Sequence, residues 1–154
     1  MSDGKQVCSF VAGGQLFGVE VEKVQEIIRC YQVSSVPLAP PSVAGLINLR
    51  GEIVVALDLA RRLELEATSP RTKSPFHVVL RTADGPASLL VDEIHGVVDT
   101  TSLAFEPPPE TVRGNPRRFI RGAFQLADRL LLALDIEEVA RASDIKAWIG
   151  EQPK

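Results

Sequence analysis

Histidine and cysteine are the residue types through which this chain could most readily bind a metal or act as a nucleophile. His77 and His95 lie in apolar, strand-like contexts, with no acidic or cysteine neighbour at metal-ligand spacing. Cys8 and Cys30 form no C-x-x-C pair, and scattered cysteines are most often small core residues. We therefore interpret both histidines as structural and predict no catalytic residues, no cofactor and no metal.

Other sequence patterns also argue against an enzyme. Asp92 and Glu93 are adjacent, but neighbouring residues of a strand point to opposite faces of its sheet. The chain has no Gly-x-Ser-x-Gly nucleophile motif and no Walker loop. The Gly13-Gly14 pair lacks the third glycine and the following helix that a dinucleotide site requires.

A cluster of arginines offers a different activity, contact with an RNA backbone. Arg113, Arg117, Arg118 and Arg121 surround Phe119, and small barrels can bind RNA through such positive charges. The net charge of the chain is −3, which mildly disfavours a nucleic-acid partner. An RNA-binding module is the alternative prediction, while a solvated strand edge or an acidic protein partner agrees better with the charge.

Length and composition indicate the kind of fold that positions these residues. The 154 residues, with 45% hydrophobic and 24% charged, suit one domain or two small subdomains. No apolar run reaches the length of a membrane span, and the amino terminus lacks the features of a signal peptide. We expect a soluble, cytoplasmic protein without direct membrane insertion.

Short apolar runs separated by turn residues recur along the chain, a pattern typical of small β-sheets. Ile53 to Leu59 is nearly continuous and apolar, which predicts a strand buried on both faces. Gly51 can take the positive φ that the preceding turn needs. Residues 94–98 are expected to continue the sheet of the third hairpin. The predicted hairpins pair 7–11 with 15–19, 46–49 with 53–59, 76–81 with 87–91, and 119–126 with 130–136.

Two stretches have the apolar spacing of helices. Val21, Val24 and Ile28 lie at i, i+3 and i+7, which predicts a short helix over 20–28. A second helix is predicted over 136–149.

Two further features concern the joints between elements. Asp58 is a plausible N-cap of a helical turn at 59–63. The polar residues 64–75 indicate a connection between two strand-rich halves.

Several of these residues also form a recognisable pattern. Gly45-x-x-Asn48-Leu49-Arg50-Gly51, followed by Ile53-Val54 and Asp58-Leu59, resembles the signature of the CheW-like family, the scaffold proteins of bacterial chemotaxis. Further segments occur in the family's order: Phe17-Gly18-Val19, Val24-Gln25-Glu26-Ile27, Pro37 and Pro40, Leu89 to Ile94, Phe119-Ile120-Arg121-Gly122, and Leu130 to Asp135.

The resemblance implies a mainly β fold over residues 7–148, with two SH3-like five-stranded barrel subdomains sharing a core. Short helices and a C-terminal helix complete it, and flexible ends are expected at 1–6 and 149–154. Val55 replaces the family's usual proline, and Ala60 stands where an arginine often follows Asp-Leu. These departures leave room for a specialised array.

For function, the resemblance implies an adaptor that joins the cytoplasmic tip of chemoreceptors to the regulatory domain of a CheA-type histidine kinase. The matching motifs place the partner-binding residues at Val24, Glu26, Gly45 and Arg50. Arg50 fits a solvated turn residue and a residue that holds a carboxylate equally well, and we expect its turn to approach the helix bearing Glu26, since a guanidinium can bind a carboxylate through two hydrogen bonds.

Overall fold

The computed structural model describes residues 5–29, 32–37, 39–65, 75–110 and 115–141. In this part of the chain short strands predominate, and the helices are brief. The strands are β1 (Gln6–Ala12), β2 (Gln15–Glu20), β3 (Val24–Arg29), β4 (Val43–Leu49), β5 (Glu52–Asp58), β6 (Phe76–Thr82), β7 (Gly85–Val91), β8 (Glu93–Asp99), β9 (Phe105–Glu106), β10 (Ile120–Gln125) and β11 (Leu130–Leu134). The α-helices are α1 (Leu59–Arg62) and α2 (Ile136–Val139), and 3₁₀ turns occupy Val21–Lys23 and Asn115–Phe119.

The strands form two sheets, and each sheet draws strands from both halves of the chain. The first sheet has the order β8-β1-β2-β11-β10-β9, and the second has the order β3-β6-β7-β5-β4. Two pairings are parallel, β2 with β11 and β5 with β7, and the others are antiparallel. The four predicted hairpins are all present.

The first sheet forms the first barrel and the second sheet forms the second barrel, and strands β8-β1-β2-β11-β10 of the first correspond in order to β3-β6-β7-β5-β4 of the second. In the first sheet Ser9 on β1 pairs with Gly96 on β8, and in the second sheet Val79 on β6 pairs with Glu26 on β3. A register shift lies beside each of these pairs. Glu26 and Gly96 therefore occupy equivalent positions in the two barrels.

Burial of aliphatic and aromatic side chains holds the two sheets together. The largest core cluster takes Phe10 and Phe17 from the first sheet and Leu57 and Leu80 from the second, all fully buried. This shared core agrees with the predicted fold class of two packed barrels. Each barrel also has an interior of its own, with Ile47, Leu49, Val54, Ala56, Val79 and Leu90 in the second and Val7, Leu16, Phe124 and Leu131 in the first.

The helix predicted over 20–28 is wrong. Only the 3₁₀ turn Val21–Lys23 is helical, and β3 follows it and pairs with β6. The ladder to β6 satisfies backbone groups along the segment, and its β-branched residues fit a pleated surface well.

Two other predictions about strands need correction. Residues 94–98 do not continue the sheet of β6 and β7, because β8 crosses to the first sheet and pairs with β1. Strand β5 is not buried on both faces along its whole length: Ile53 is 60% exposed and Val55 is half-buried. The strand becomes fully buried only from Ala56 onwards.

Aspartates begin both α-helices. The carboxylate of Asp58 accepts a hydrogen bond from the Arg61 amide at 3.3 Å, which confirms its predicted role as N-cap. Asp135 accepts one from the Glu138 amide at 3.2 Å. The rest of the helix predicted to residue 149 lies outside the described residues. No helix in the described ranges has the length and hydrophobicity needed to cross a bilayer.

Candidate functional site

The turn between β4 and β5 presents Arg50 at its tip. Arg50 and Gly51 both have positive φ, 52° and 89°, a combination suited to a tight two-residue hairpin. The side chain of Asn48 fixes the turn, because its Oδ1 accepts a hydrogen bond from the Gly51 amide at 2.9 Å. The sequence predicted positive φ for Gly51 but not for Arg50, which carries a Cβ and rarely adopts it.

Arg50 forms a two-point ion pair with Glu26 on β3. Nη1 donates to Oε1 at 3.2 Å, and Nη2 donates to Oε2. The Arg50 side chain is 67% exposed and that of Glu26 is 26% exposed. The hydrogen bond from Arg50 is the main reason why the pKa of Glu26 is lowered, and a hydrogen bond from Gln25 and the positive charge of Arg50 act in the same direction.

The backbone beneath this pair is held by a second arginine. Nη1 of Arg81 donates to the carbonyl oxygen of Val24 at 2.9 Å and to that of Glu22 at 3.2 Å. A register shift interrupts the pairing of β3 with β6 between Val24 and Glu26. We call the end of the second barrel formed by Val24, Glu26, Arg50 and Gly51 the Arg50 rim.

Gly45 lies in β4, away from the turn, and is buried. A Cβ at this position would be 2.3 Å from the carbonyl oxygen of Ser34, an impossible separation. Ser34 exchanges backbone hydrogen bonds of 2.8 and 2.9 Å with Leu46 and so adds a bridge along β4. Gly45 therefore permits a close approach of two backbones. It is not part of the exposed surface around Arg50.

Two exposed aliphatic residues belong to the strands that carry the ion pair. Ile27, next to Glu26 on β3, is 41% exposed, and Ile53, just after the Arg50 turn on β5, is 60% exposed. Neither was predicted as a surface residue, because the apolar spacing placed Ile27 in a helix and Ile53 in a buried strand. The run Ile53-Val54-Val55 is apolar on both faces of the strand, so no alternation marked Ile53 as a surface residue.

The arginine cluster is largely committed to internal contacts. Arg117 donates to the carbonyl oxygens of Pro109 and Pro108 at 3.0 and 3.2 Å. The Arg118 guanidinium lies 4.6 Å from the ring centroid of buried Phe119. Arg121 is exposed, and Arg113 lies outside the described residues.

The candidate histidines and cysteines have distinct surroundings. His77 is buried, with Nδ1 3.0 Å from the Ser88 hydroxyl. His95 has an acidic neighbour that was not predicted: its Nε2 lies 3.0 Å from a Glu93 oxygen. Cys8 is buried, which raises the pKa of its thiol. Cys30 is outside the described residues, and within them no three His, Cys, Asp or Glu side chains converge as a metal site.

Comparisons with known proteins agree with this fold. The family model described as "CheW-like domain" matches residues 6–144. A protein named "Chemotaxis protein CheW" from Treponema pallidum is 26% identical over 144 residues, covering 92% of this chain and 85% of the relative. A protein of the same name from Thermotoga maritima is 27% identical over 144 residues, covering 94% and 93%.

A solved structure has the same architecture. The crystal structure of scaffolding protein TtCheW from Thermoanaerobacter tengcongensis superposes with a TM-score of 0.79 at 24% sequence identity. The match covers 90% of this chain and 93% of that chain. These comparisons give no support to the RNA-binding alternative.

Proposed function

This chain belongs to the CheW-like family of chemotaxis scaffolds, and on that premise we propose that it joins chemoreceptors to a CheA-type histidine kinase. It acts as a non-enzymatic adaptor, with the receptor's cytoplasmic tip as one partner and the kinase's regulatory domain as the other. These partners belong to the cytoplasmic side of a receptor array. Residues 7–148 form the docking unit, with 64–75 as the connection between its strand-rich halves.

The observation that carries this proposal is the paired, exposed Arg50 rim. A two-point ion pair keeps the guanidinium and the carboxylate in one geometry, so a partner meets a fixed arrangement of charges. Ile27 on β3 and Ile53 on β5 add exposed aliphatic side chains near this end of the barrel, with Ile27 on the opposite face of β3 from Glu26. Recognition of an amphipathic helix needs such apolar contacts together with polar groups that set its orientation.

The four proposed partner-binding residues support docking in different ways. Glu26 and Arg50 present the ion pair, and Val24 anchors the strand that carries Glu26. Gly45 acts indirectly, because it lets Ser34 close against β4. Substitution of Gly45 is therefore expected to disturb the shape of the barrel before it disturbs any direct contact.

The test measures assembly with both partners. Purified protein is mixed with a chemoreceptor cytoplasmic fragment and the regulatory domain of a CheA-type kinase, and the ternary complex is captured. Arg50→Ala and Glu26→Ala are expected to remain folded and to weaken assembly. Arg121→Ala is the matched control, because Arg121 is an exposed arginine on the other sheet.

A charge exchange sharpens the experiment. The double variant Glu26→Arg with Arg50→Glu keeps an ion pair but reverses its direction. Recovery of assembly in the double variant would mean that the pair matters through shape, whereas continued loss would mean that a partner reads the individual charges. Full ternary assembly by both single variants would contradict the proposed site.

A further inference from the structure

The two barrels present equivalent rims, but among the described residues of the first barrel no ion pair occupies the place of the Arg50–Glu26 pair. Gly96 occupies the position of Glu26, as the strand register shows. The turn between β10 and β11 is at 127–129, and the Leu126 amide donates a hydrogen bond to the Arg129 carbonyl oxygen. Leu49 and Glu52 form the corresponding pair on either side of the Arg50 turn in the second barrel. Ala127 thus stands where the second barrel has Arg50.

A different arginine is held at this end of the first barrel. Nη2 of Arg129 lies 3.0 Å from Nδ1 of His95, and His95 Nε2 lies 3.0 Å from Glu93 Oε1. A guanidinium can only donate, so Nδ1 is the acceptor and Nε2 carries the proton that it donates to Glu93. The contact therefore positions Arg129 against the His95 ring. Within the described ranges no carboxylate lies within ion-pair distance of Arg129.

Arg129 also lines a pocket of about 300 Å³ at the same end of the barrel. The aliphatic residues among those lining it are Leu16, Leu130 and Leu132, and Gly14, Gln15 and Pro109 also line it. Arg117 donates hydrogen bonds to the carbonyl oxygens of Pro108 and Pro109 and so restrains the backbone at Pro109. We call Arg129, His95 and this pocket the Arg129 rim.

We infer that the Arg129 rim docks an acidic, aliphatic peptide segment of a partner protein. A glutamate or aspartate carboxylate of the segment pairs with the Arg129 guanidinium, and a neighbouring leucine-like side chain enters the pocket. Charge complementarity selects this occupant, because Arg129 is a fixed cation to which the described residues give no carboxylate. The volume is at the lower end of ligand pockets, which suits one aliphatic side chain with its flanking backbone. The inference is independent of the Arg50 rim.

Short synthetic peptides provide the probe. Acetyl-Ser-Leu-Glu-Leu-Ser-amide and its counterpart with glutamine in place of glutamate are titrated into the full-length ¹⁵N-labelled protein. The glutamate peptide is expected to shift the amide signals of Gly14, Gln15 and Leu130, with a dissociation constant on the order of 1 mM. The glutamine peptide is expected to bind about tenfold more weakly.

Protein variants then assign the effect to the rim. Arg129→Gln is expected to weaken the glutamate peptide about tenfold and to leave the glutamine peptide unchanged. Arg121→Gln, the matched control, should alter neither titration. Equal binding of the two peptides to the unaltered protein would overturn the inference, as would shifts centred on the Arg50 rim. The comparison of peptides uses no receptor or kinase, so its failure is distinguishable from failure of the proposed function.

Discussion

At the scale of single residues, the ion pair with Arg50 holds the Glu26 carboxylate in place and favours its charged form. Because hydrogen bonds from Arg50 and Gln25 favour the ionised form, the pKa of Glu26 lies below its ordinary value of 4.5. We expect Arg50→Gln to raise the pKa of Glu26, since the largest of these contributions disappears. Carboxyl-carbon NMR titration of the two proteins measures the difference, and an unchanged midpoint would show that the pair does not persist in solution.

The same pKa shift predicts how stability depends on pH. A group with a lowered pKa in the folded protein contributes stability above its unfolded pKa, and this is lost as the pH falls through the folded value. The destabilisation caused by Arg50→Gln should therefore be constant above about pH 5.5 and shrink in more acidic solution. Urea unfolding at a series of pH values tests this, with Arg121→Gln as the control. A difference that grew on acidification would contradict it.

The two glycines near the site give a further prediction at this scale. Gly45→Ala should destabilise the protein by about 1–3 kcal/mol, because the added methyl group meets the Ser34 carbonyl. Gly51 has no atoms within 4 Å of an added Cβ. Gly51→Asn should change stability by less than about 1 kcal/mol, because asparagine tolerates positive φ. Chemical denaturation measures both variants, and similar losses would refute the close-approach explanation for Gly45.

Sequence reasoning reached the residues of the ion pair but not all of their surroundings. A charged, multi-donor residue at a hairpin tip fitted either a solvated turn or a carboxylate partner, and the family pattern singled out Glu26 as that partner. The left-handed conformation of Arg50 could not be predicted, because it depends on the hydrogen bond between Asn48 and the Gly51 amide. Exposure of Ile53 depends on where the second sheet ends, which is a property of neighbouring strands.

At the scale of elements, Arg62 connects the two short α-helices. Its Nε donates to the Val139 carbonyl oxygen at 2.8 Å, and its guanidinium lies 4.9 Å from the Phe119 ring centroid. Arg62→Met keeps an unbranched aliphatic side chain but removes the donors. Hydrogen exchange at the amides of Val139 and Ala140 should accelerate about tenfold. Arg61→Met, on the same helix but exposed, is the control, and equal exchange in both variants would exclude a specific role for Arg62.

Strand β3 shows why local spacing can mislead at this scale. The spacing of Val21, Val24 and Ile28 matches a helix, but the three residues belong to a 3₁₀ turn and a strand. The register shift beside Glu26 disturbs the simple alternation that would have identified the strand. Pairing with β6, far away in sequence, then decides the structure.

At the scale of the whole molecule, the exchange of strands between halves was beyond local sequence patterns. Each predicted hairpin formed because its turn and its apolar runs lie within a few residues of each other. Assignment of a hairpin to a sheet depends on long-range pairs such as Leu132 with Phe17 and Leu57 with Leu89. The mainly β class followed from the recurring short strands and turns, and the two-barrel arrangement from the family pattern, whereas residues 94–98 were placed in the wrong sheet.

The exchange predicts that the two barrels unfold together. Leu57 is fully buried in the core shared by both sheets, whereas Val54 and Leu131 lie in the separate interiors of the second and first barrels. Leu57→Ala should lower the free energy of unfolding by about 2–5 kcal/mol. Methyl NMR signals of Val54 and Leu131 should then disappear at the same, lower urea concentration.

Val54→Ala provides the sharper version of this experiment, because it removes methyl groups from one barrel interior only. Each sheet contains strands from both halves, so one sheet cannot lose its strands without disrupting the chain that supplies the other. The Leu131 signal, in the other barrel, should therefore shift its midpoint as far as a second-barrel probe such as Leu90. Separate midpoints for the two barrels would show that the shared core does not make the molecule one cooperative unit.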